Sequence, residues 1–220
     1  MTSTPLAQII GTPDQGDRFF GVTVGIVTNN QDPKELGRVK LKFPWLSDLD
    51  EGAWARVLTP MAGRNPDTNQ AYGLHFLPEV DTEVLVAFEQ GDIEFPYILG
   101  ALWNGKDKPI NLNSDGKNNH RTLKSRSGHT IQFDDTKDNE KIEIIDGSGK
   151  NSIVISTKDN TVTVTGDADI LIQSKNGKLK LSGKGIELKS GAEIKVEAQQ
   201  NLELKAGPQM TLKANLININ

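Results

Sequence analysis

One short pattern, an apolar residue followed by a spacer and a second apolar residue, recurs along the C-terminal part of the chain. Its ten copies start 7 to 11 residues apart, and the spacing settles to 7 or 8 residues towards the end. An alternating triplet is typical of a β-strand with one buried face. Glycines such as Gly177, Gly183 and Gly191 separate the copies and favour turns. The pattern therefore predicts a ladder of short strands, each with a single apolar face.

The triplets supply the apolar residues of this ladder, and we predict that they form the core of a needle. In chain order they are Ile142 and Ile144, Ile153 and Ile155, Val162 and Val164, Ile170 and Ile172, Leu179 and Leu181, Ile186 and Leu188, Ile194 and Val196, Leu202 and Leu204, and Met210 and Leu212. The terminal run is Leu216, Ile217, Asn218, Ile219 and Asn220, and it contains the tenth triplet. We predict that this run leaves unpaired strand ends that a tip partner covers.

The ladder has a stability problem that predicts its assembly. Each copy buries only two side chains, whereas ordering the backbone costs about 1 to 2 kcal/mol for every residue. A three-sided solenoid wound by one chain would stack only about 15 Å of strands, at ~4.8 Å per strand. Three intertwined chains would instead form a rod on the order of 45 to 50 Å, with apolar residues on a shared axis and lysine and glutamate outside. We therefore predict an obligate homotrimer.

The residues before the ladder predict a small barrel. Five runs are typical of strands, namely 19–28, 36–43, 53–60, 82–89 and 96–103, and turn-forming residues separate them. Five short antiparallel strands of this kind match an OB-type barrel, in which closure removes exposed edges. The fold class is therefore all-β. The predicted segments are an N-terminal arm at 1–17, the OB-fold barrel at 18–103, a polar connector at 104–128 and the trimeric β-helix spike at 129–220.

Composition and charge exclude several classes of function. The net charge of −4 provides no basic field for nucleic acid, and no membrane-length apolar run occurs. The chain has no cysteine, so it forms neither disulfides nor thiolate metal sites. Residues 1–10 lack the basic start and apolar run of a secretory signal. We therefore expect assembly in the bacterial cytoplasm, without a signal peptide.

Two blocks of the barrel segment carry a family resemblance. The first contains Gly37, Arg38 and Val39 and is followed by Trp54, and the second runs from Pro78 and Glu79 through Gly91, Asp92 and Pro96 to Gly100. With the ladder behind them, these blocks resemble the central spikes of contractile tails, namely phage baseplate assembly protein V and the C-terminal half of VgrG proteins. The chain departs from the family at Asp81, where relatives often have glycine.

The resemblance implies a function and a set of partners. In that family the trimer sits on a hub beneath the tail tube and is driven through a target envelope. The hub would bind the barrel end, and a tip protein with PAAR repeats would bind the C-terminal end. Effectors are further candidate partners, and contact with the target membrane would be transient. A phage tail, a type VI secretion apparatus and an extracellular particle all share this architecture, so the alternatives stay open.

The sequence predicts no catalytic, cofactor-binding or metal-binding residue. His75, His120 and His129 lie in different segments without ligand-like spacing, and Ser125, four residues before His129, lacks the sequence pattern that surrounds a catalytic nucleophile. We therefore predict that the protein is not an enzyme. Two other functions remain as alternatives. One is a polysaccharide-degrading β-helix enzyme or tail fibre, and the other is a nucleic-acid-binding OB module.

Overall fold

Twelve strands and one 3₁₀ turn make up the regular structure of the described residues, which are 18–46 and 51–218 of a computed structural model. The strands are β1 (Val22–Asn29), β2 (Val39–Lys42), β3 (Glu51–Val57), β4 (Ala62–Arg64), β5 (Ala71–Gly73), β6 (Glu83–Phe88), β7 (Pro96–Ala101), β8 (His120–Lys124), β9 (Thr130–Asp134), β10 (Lys141–Ile145), β11 (Ser152–Ser156) and β12 (Thr161–Thr165). The predicted N-terminal arm lies outside the described residues. The chain divides into two units, Met1–Asp167 and Ala168–Asn220.

A closed barrel forms in the first unit from five strands in the order β1-β2-β3-β7-β6. Four of the neighbouring pairs are antiparallel, and β3 runs parallel to β7. The 3₁₀ turn Glu89–Gly91 joins β6 to β7. These five strands are the ones that the sequence predicts, so the all-β barrel is confirmed.

The core of the barrel consists of alternate residues of its strands. Val84, Val86 and Phe88 on β6 point inward, between residues that are more exposed. Val27, Val39, Leu41, Phe43, Ala55 and Ile98 complete the buried set. Phe43 and Phe88 pack with ring centroids 5.5 Å apart. This period of two is what the sequence of β2 and β6 dictates, because successive strand residues face opposite sides of a sheet.

A second sheet follows the barrel in the same unit. Its five strands are antiparallel and lie in sequence order, from β8 to β12. The first strand, β8, lies inside the stretch predicted as a polar connector. Only Leu123 is apolar among its five residues, so the alternation that marks the later strands is absent there. Hairpin β4–β5 was not predicted either, since its strands are three residues long and built mainly of alanine and glycine.

The second unit carries the remaining triplets. In its described residues, 168–218, no hydrogen-bonded strand is present, and the triplet residues are exposed in the single chain. The β-helix needle therefore stays a prediction. The described part of the chain contains no helix that is long and apolar enough to span a membrane.

Candidate assembly surface

One face of the β8–β12 sheet is apolar and open to solvent. Its members alternate along each strand and align across the sheet: Ile142 lies opposite both Phe133 and Ile155, and Ile153 lies opposite both Ile144 and Val164. We call this the apolar sheet face, and it consists of Leu123, Ile131, Phe133, Ile142, Ile144, Ile153, Ile155, Val162 and Val164. These side chains are 38% to 68% exposed. A contiguous apolar surface of this kind marks an interaction site.

Over β8 to β11 the opposite face of the same sheet is mainly polar, with Ile145 and Val154 among its members, and most of its residues are better covered than the apolar ones. Thr122 donates to Gln132 over 3.0 Å, and Lys141 forms an ion pair with Glu143 at 3.0 Å. The side chain of Glu143 is only 14% exposed. The single chain thus shields polar groups and exposes isoleucine and valine. Because burial of apolar area drives folding, this inverted arrangement indicates that another surface covers the apolar sheet face.

The turns at one end hold this sheet in register. The carboxylate of Asp146 accepts hydrogen bonds from Ser148 and Asn151, and these bonds lower its pKa to about 2. The backbone N–H of Gly147 donates to Nδ1 of His129 over 3.0 Å. A side chain at Gly147 would place its Cβ 2.3 Å from the carbonyl oxygen of Ser127, so the two turns lie in close contact. His129, predicted to be neither catalytic nor a metal ligand, is a hydrogen-bond acceptor in this contact.

A buried carboxylate stabilises the other end. Asp134 is 7% exposed and accepts a hydrogen bond from the backbone N–H of Thr136 at 3.0 Å. Hydrogen bonding to Thr136 lowers the pKa of Asp134, and the charges of His120 and Lys141 add to the effect. His120 lies 3.5 Å from Asp134 through Nε2, and its Nδ1 is 2.6 Å from Nδ2 of Asn111. These contacts fix the start of β8.

The first block of the family motif forms a rigid loop between β1 and β2. The guanidinium of Arg38 donates twice to Asp32, over 2.9 and 2.8 Å, and the backbone N–H groups of Lys34 and Leu36 donate to the same carboxylate. Arg38 therefore holds the pKa of Asp32 well below its usual value, and Asp32 raises the pKa of Arg38. Gly37 has φ +67°, which a glycine adopts without strain. The side chain of Arg38 also lies 5.8 Å from the ring of Trp54.

The second block forms turns around β6 and β7. Gly91 has φ +79° at the end of the 3₁₀ turn, Asp92 accepts from the N–H of Glu94 over 3.0 Å, and Pro96 is buried at the start of β7. Asp81 has φ +69°, a left-handed conformation that glycine adopts more readily than other residues. The residues of this second block therefore lie in several turns and do not form one site.

Other motif residues connect parts of the first unit. The carbonyl of Pro78 accepts from the side chain of Asn30 over 3.3 Å, and Glu79 forms an ion pair with Arg126 at 3.0 Å, which joins the barrel to the β8–β9 turn. Two further motif residues make no such connection: Val39 is fully buried in the barrel core, and a Cβ at Gly100 would have no neighbouring atom within 4 Å.

A network on the outer face of the barrel was not predicted from the sequence. Tyr97 donates to Glu89, and Arg56 donates to the hydroxyl of Tyr97 over 3.5 Å and lies 5.4 Å from its ring. The hydrogen bond to Glu89 raises the pKa of Tyr97. Arg56 and Tyr97 are 41 residues apart, and only the parallel pairing of β3 and β7 brings them together.

The predicted tip platform is described in part. Leu216 is 75% exposed and Ile217 is 48% exposed, whereas Ile219 and Asn220 lie outside the described residues. The needle-core residues of the second unit are exposed as well, from Met210 at 49% to Leu188 and Leu204 at 69%. Both sets are apolar surfaces of the single chain.

Comparisons with known proteins find a matching domain for the barrel. Residues 23–103 match the type VI secretion system/phage-baseplate injector OB domain. The type VI secretion system spike protein VgrG1a of Pseudomonas aeruginosa is 29% identical over an alignment of 121 positions, which covers 50% of this chain and 18% of that protein. The type VI secretion system spike protein VgrG3 of Vibrio cholerae is 29% identical over an alignment of 115 positions, which covers 49% of this chain and 11% of that protein.

A longer alignment extends beyond the barrel. The actin cross-linking toxin VgrG1 of Vibrio cholerae is 29% identical over an alignment of 179 positions, which covers 70% of this chain and 16% of that protein. The chain thus spans 18% or less of the length of these three curated relatives. The cross-linking activity in the name belongs to that toxin, most of which has no counterpart in this chain.

Proposed function

We propose that this chain, a relative of the contractile-tail spike proteins that carries the injector OB domain at residues 23–103, is the central spike of a contractile injection system. Its role is mechanical, as a puncturing needle without catalysis. The observation that carries this proposal is the apolar sheet face, which is exposed in a single chain directly after an injector OB domain.

The needle requires three chains. Along the sequence, the apolar alternation of this sheet is repeated by the triplets of the second unit, whose apolar residues are exposed as well. When three copies wind together, each face of the needle receives strands from all three in turn, and the apolar residues meet at a shared axis. Ten layers give a rod about 45 to 50 Å long, and stiffness comes from paired strand edges along its length.

The two ends of the trimer take different partners. A hub protein binds the barrel end and connects the spike to the tube, and a conical PAAR-repeat protein caps Leu216 to Asn220 at the other end. The apolar surface at Leu216 and Ile217 supports the cap, because three such strand ends would otherwise stay unpaired. The spike is then part of a tail or secretion particle that reaches the target envelope, and carried effectors travel with it.

The test is the native mass of the full chain, measured for matched substitutions on the two faces of β12. Val164 belongs to the apolar sheet face and is 54% exposed, and its neighbour Thr163 points to the opposite face. We expect the unmodified protein and T163K to have the native mass of a trimer. We expect V164K to lose the trimer, because three lysines would enter an apolar interface.

Electron micrographs of the same samples provide a second measurement. Short rods should be visible with the unmodified protein and with T163K. A monomeric mass for the unmodified protein at micromolar concentration would remove the basis of the proposal, as would equal loss of trimer in both variants.

A further inference from the structure

Three neighbouring triplets of the ladder carry charges in a regular order. They begin at Ile186, Ile194 and Leu202, eight residues apart, and each has one charged residue between its apolar members and another directly after them. In chain order these pairs are Glu187 and Lys189, Lys195 and Glu197, and Glu203 and Lys205. We call them the three charge layers. The two signs of a layer are opposite, and their order reverses from each layer to the next.

The structure places the two charges of the middle layer on one side of the chain. Nζ of Lys195 lies 2.8 Å from Oε1 of Glu197, and the two side chains are 70% and 73% exposed. Residues two positions apart in a strand share a face, so this contact is what an extended chain predicts. Within the described residues 168–218 it is the only ion pair. The charges of the other two layers are exposed and form no ion pair in the single chain.

The apolar residues of these layers do not determine which strand lies beside which. Because their spacing is constant, a shift of one chain by eight residues replaces one aliphatic pair with another, as when Ile194 and Val196 take the place of the preceding pair. Register is weakly specified when neighbouring strands are so alike. The start of the ladder differs, since its first five triplets begin 8 to 11 residues apart. Another feature must therefore specify the register of the regular part.

The proposed needle defines the neighbours of each charge layer. Each chain passes to the next face of the needle with each triplet, so a strand lies beside the following triplet of another copy. Neighbouring strands are about 4.8 Å apart, which is within reach of lysine and glutamate side chains. Glu187 of one copy then lies beside Lys195 of a second copy, which lies beside Glu203 of the third. The charges that follow the triplets align in the same way, with the opposite signs.

We propose that the three charge layers form a checkerboard of ion pairs between copies, and that this checkerboard selects the register of the three chains. The inference rests on the needle proposed above. A shift of one chain by one triplet brings together charges of the same layer, or of layers two apart, and these have the same sign. Each exposed pair contributes little alone, so the selection comes from the sum over all layers and faces.

The test inverts charges without changing the composition of the chain. The variant K195E/E197K keeps the ion pair within the middle layer but places like charges beside each other between layers. The matched control E187K/K189E/K195E/E197K/E203K/K205E inverts all three layers, so opposite charges again meet between copies. At the ends of the block this control loses one attractive neighbour, Lys180, and gains another, Lys213.

The measurements are the native mass and the Tm by circular dichroism, at one protein concentration for all samples. We expect the Tm of the trimer to fall by several degrees in K195E/E197K and to recover in the control. The fall should shrink in about 1 M sodium chloride, where the Debye length is about 3 Å. If K195E/E197K does not assemble at all, recovery of the trimer in the control supports the checkerboard in the same way.

The outcomes separate this inference from the proposed function. A trimeric unmodified protein whose Tm is unchanged in K195E/E197K would overturn the checkerboard and leave the needle intact. Equal losses in the two variants, or a loss that salt does not reduce, would also overturn it. A monomeric unmodified protein would instead contradict the proposed function itself.

Discussion

At the scale of single residues, the barrel depends on a few charged side chains that organise loops. Asp32 receives hydrogen bonds from the backbone N–H groups of three residues and from the guanidinium of Arg38, and its side chain is 3% exposed. A carboxylate with several donors favours its ionised form. Asp146 does the same in the β10–β11 turn. These residues do not carry chemistry, and their role is to hold surfaces in position.

The depressed pKa of Asp32 predicts an acid-dependent loss of stability. The unfolded chain binds a proton near pH 3.8, whereas the folded carboxylate binds it only at a lower pH. Stability is therefore present above about pH 4 and is lost as the pH falls below that value. We expect D32N to lower the Tm at pH 7 and to flatten the fall of Tm between pH 5 and pH 3, because both states then carry a neutral amide. The measurement is Tm against pH by circular dichroism.

The matched control for this prediction is D67N. Asp67 is exposed in the loop between β4 and β5, where its backbone N–H donates to the side chain of Asn65. Its substitution should leave both the Tm at pH 7 and the pH profile close to those of the unmodified chain. Equal pH profiles for D32N and the unmodified protein would contradict the assigned role of Asp32.

A second prediction at this scale concerns the contact of two turns. G147A should destabilise the β8–β12 sheet by about 1 to 3 kcal/mol, because the new methyl group overlaps the carbonyl of Ser127. Hydrogen exchange of His129 and Asn151 should accelerate, since the turns must separate. G105A provides the control, because a Cβ at Gly105 has no neighbour within 4 Å. In this variant, the amides of His129 and Asn151 should exchange at the rate of the unmodified protein. Unchanged exchange in G147A would show that the turns are not in contact.

At the scale of elements, the alternation of apolar and polar residues decides which strands can be predicted from the sequence. It predicts the five barrel strands because Val39 and Leu41 or Val84 and Val86 alternate with exposed neighbours. It does not predict β8, where Leu123 is alone, or the hairpin, where glycine and alanine carry no pattern. The network of Arg56, Tyr97 and Glu89 on the outer face of the barrel was not predicted either, because the proximity of Arg56 and Tyr97 depends on strand order in the closed barrel rather than on local sequence.

The barrel core offers a direct test of this alternation. Leu41 is fully buried, whereas Lys40 and Lys42 on either side are partly exposed. We expect L41A to lower the free energy of unfolding of the barrel by about 2 to 5 kcal/mol, through lost burial and the cavity left behind. Denaturant unfolding followed by tryptophan fluorescence measures this. L36A removes the same atoms from an exposed leucine and should cost much less. Comparable losses in the two variants would place Leu41 outside the core.

At the scale of the whole molecule, the distribution of apolar area explains why a single chain is incomplete. The barrel buries its own core, but the sheet after it exposes isoleucine and valine, and the triplets of the second unit do so throughout. Sequence alone predicts which residues lie on this surface, since a period of two fixes the face of each strand. Which surface covers it depends on other chains, and the energetics of the ladder favour copies of the same sequence.

The ladder therefore predicts opposite effects for two adjacent substitutions. In the proposed needle, Leu188 is an inward residue of its triplet, and Glu187 is the spacer that faces outward. In a trimer, L188K brings three ammonium groups to one level of the apolar axis, and each uncompensated charge costs several kcal/mol. E187K changes the outer face and should cost little. We expect the Tm of the unmodified protein and of E187K to rise with protein concentration, as it does when folding is coupled to association, and L188K to melt at a lower temperature. Calorimetry at several concentrations measures this, and a concentration-independent Tm with equal melting of both variants would mean that these residues do not meet at a shared axis.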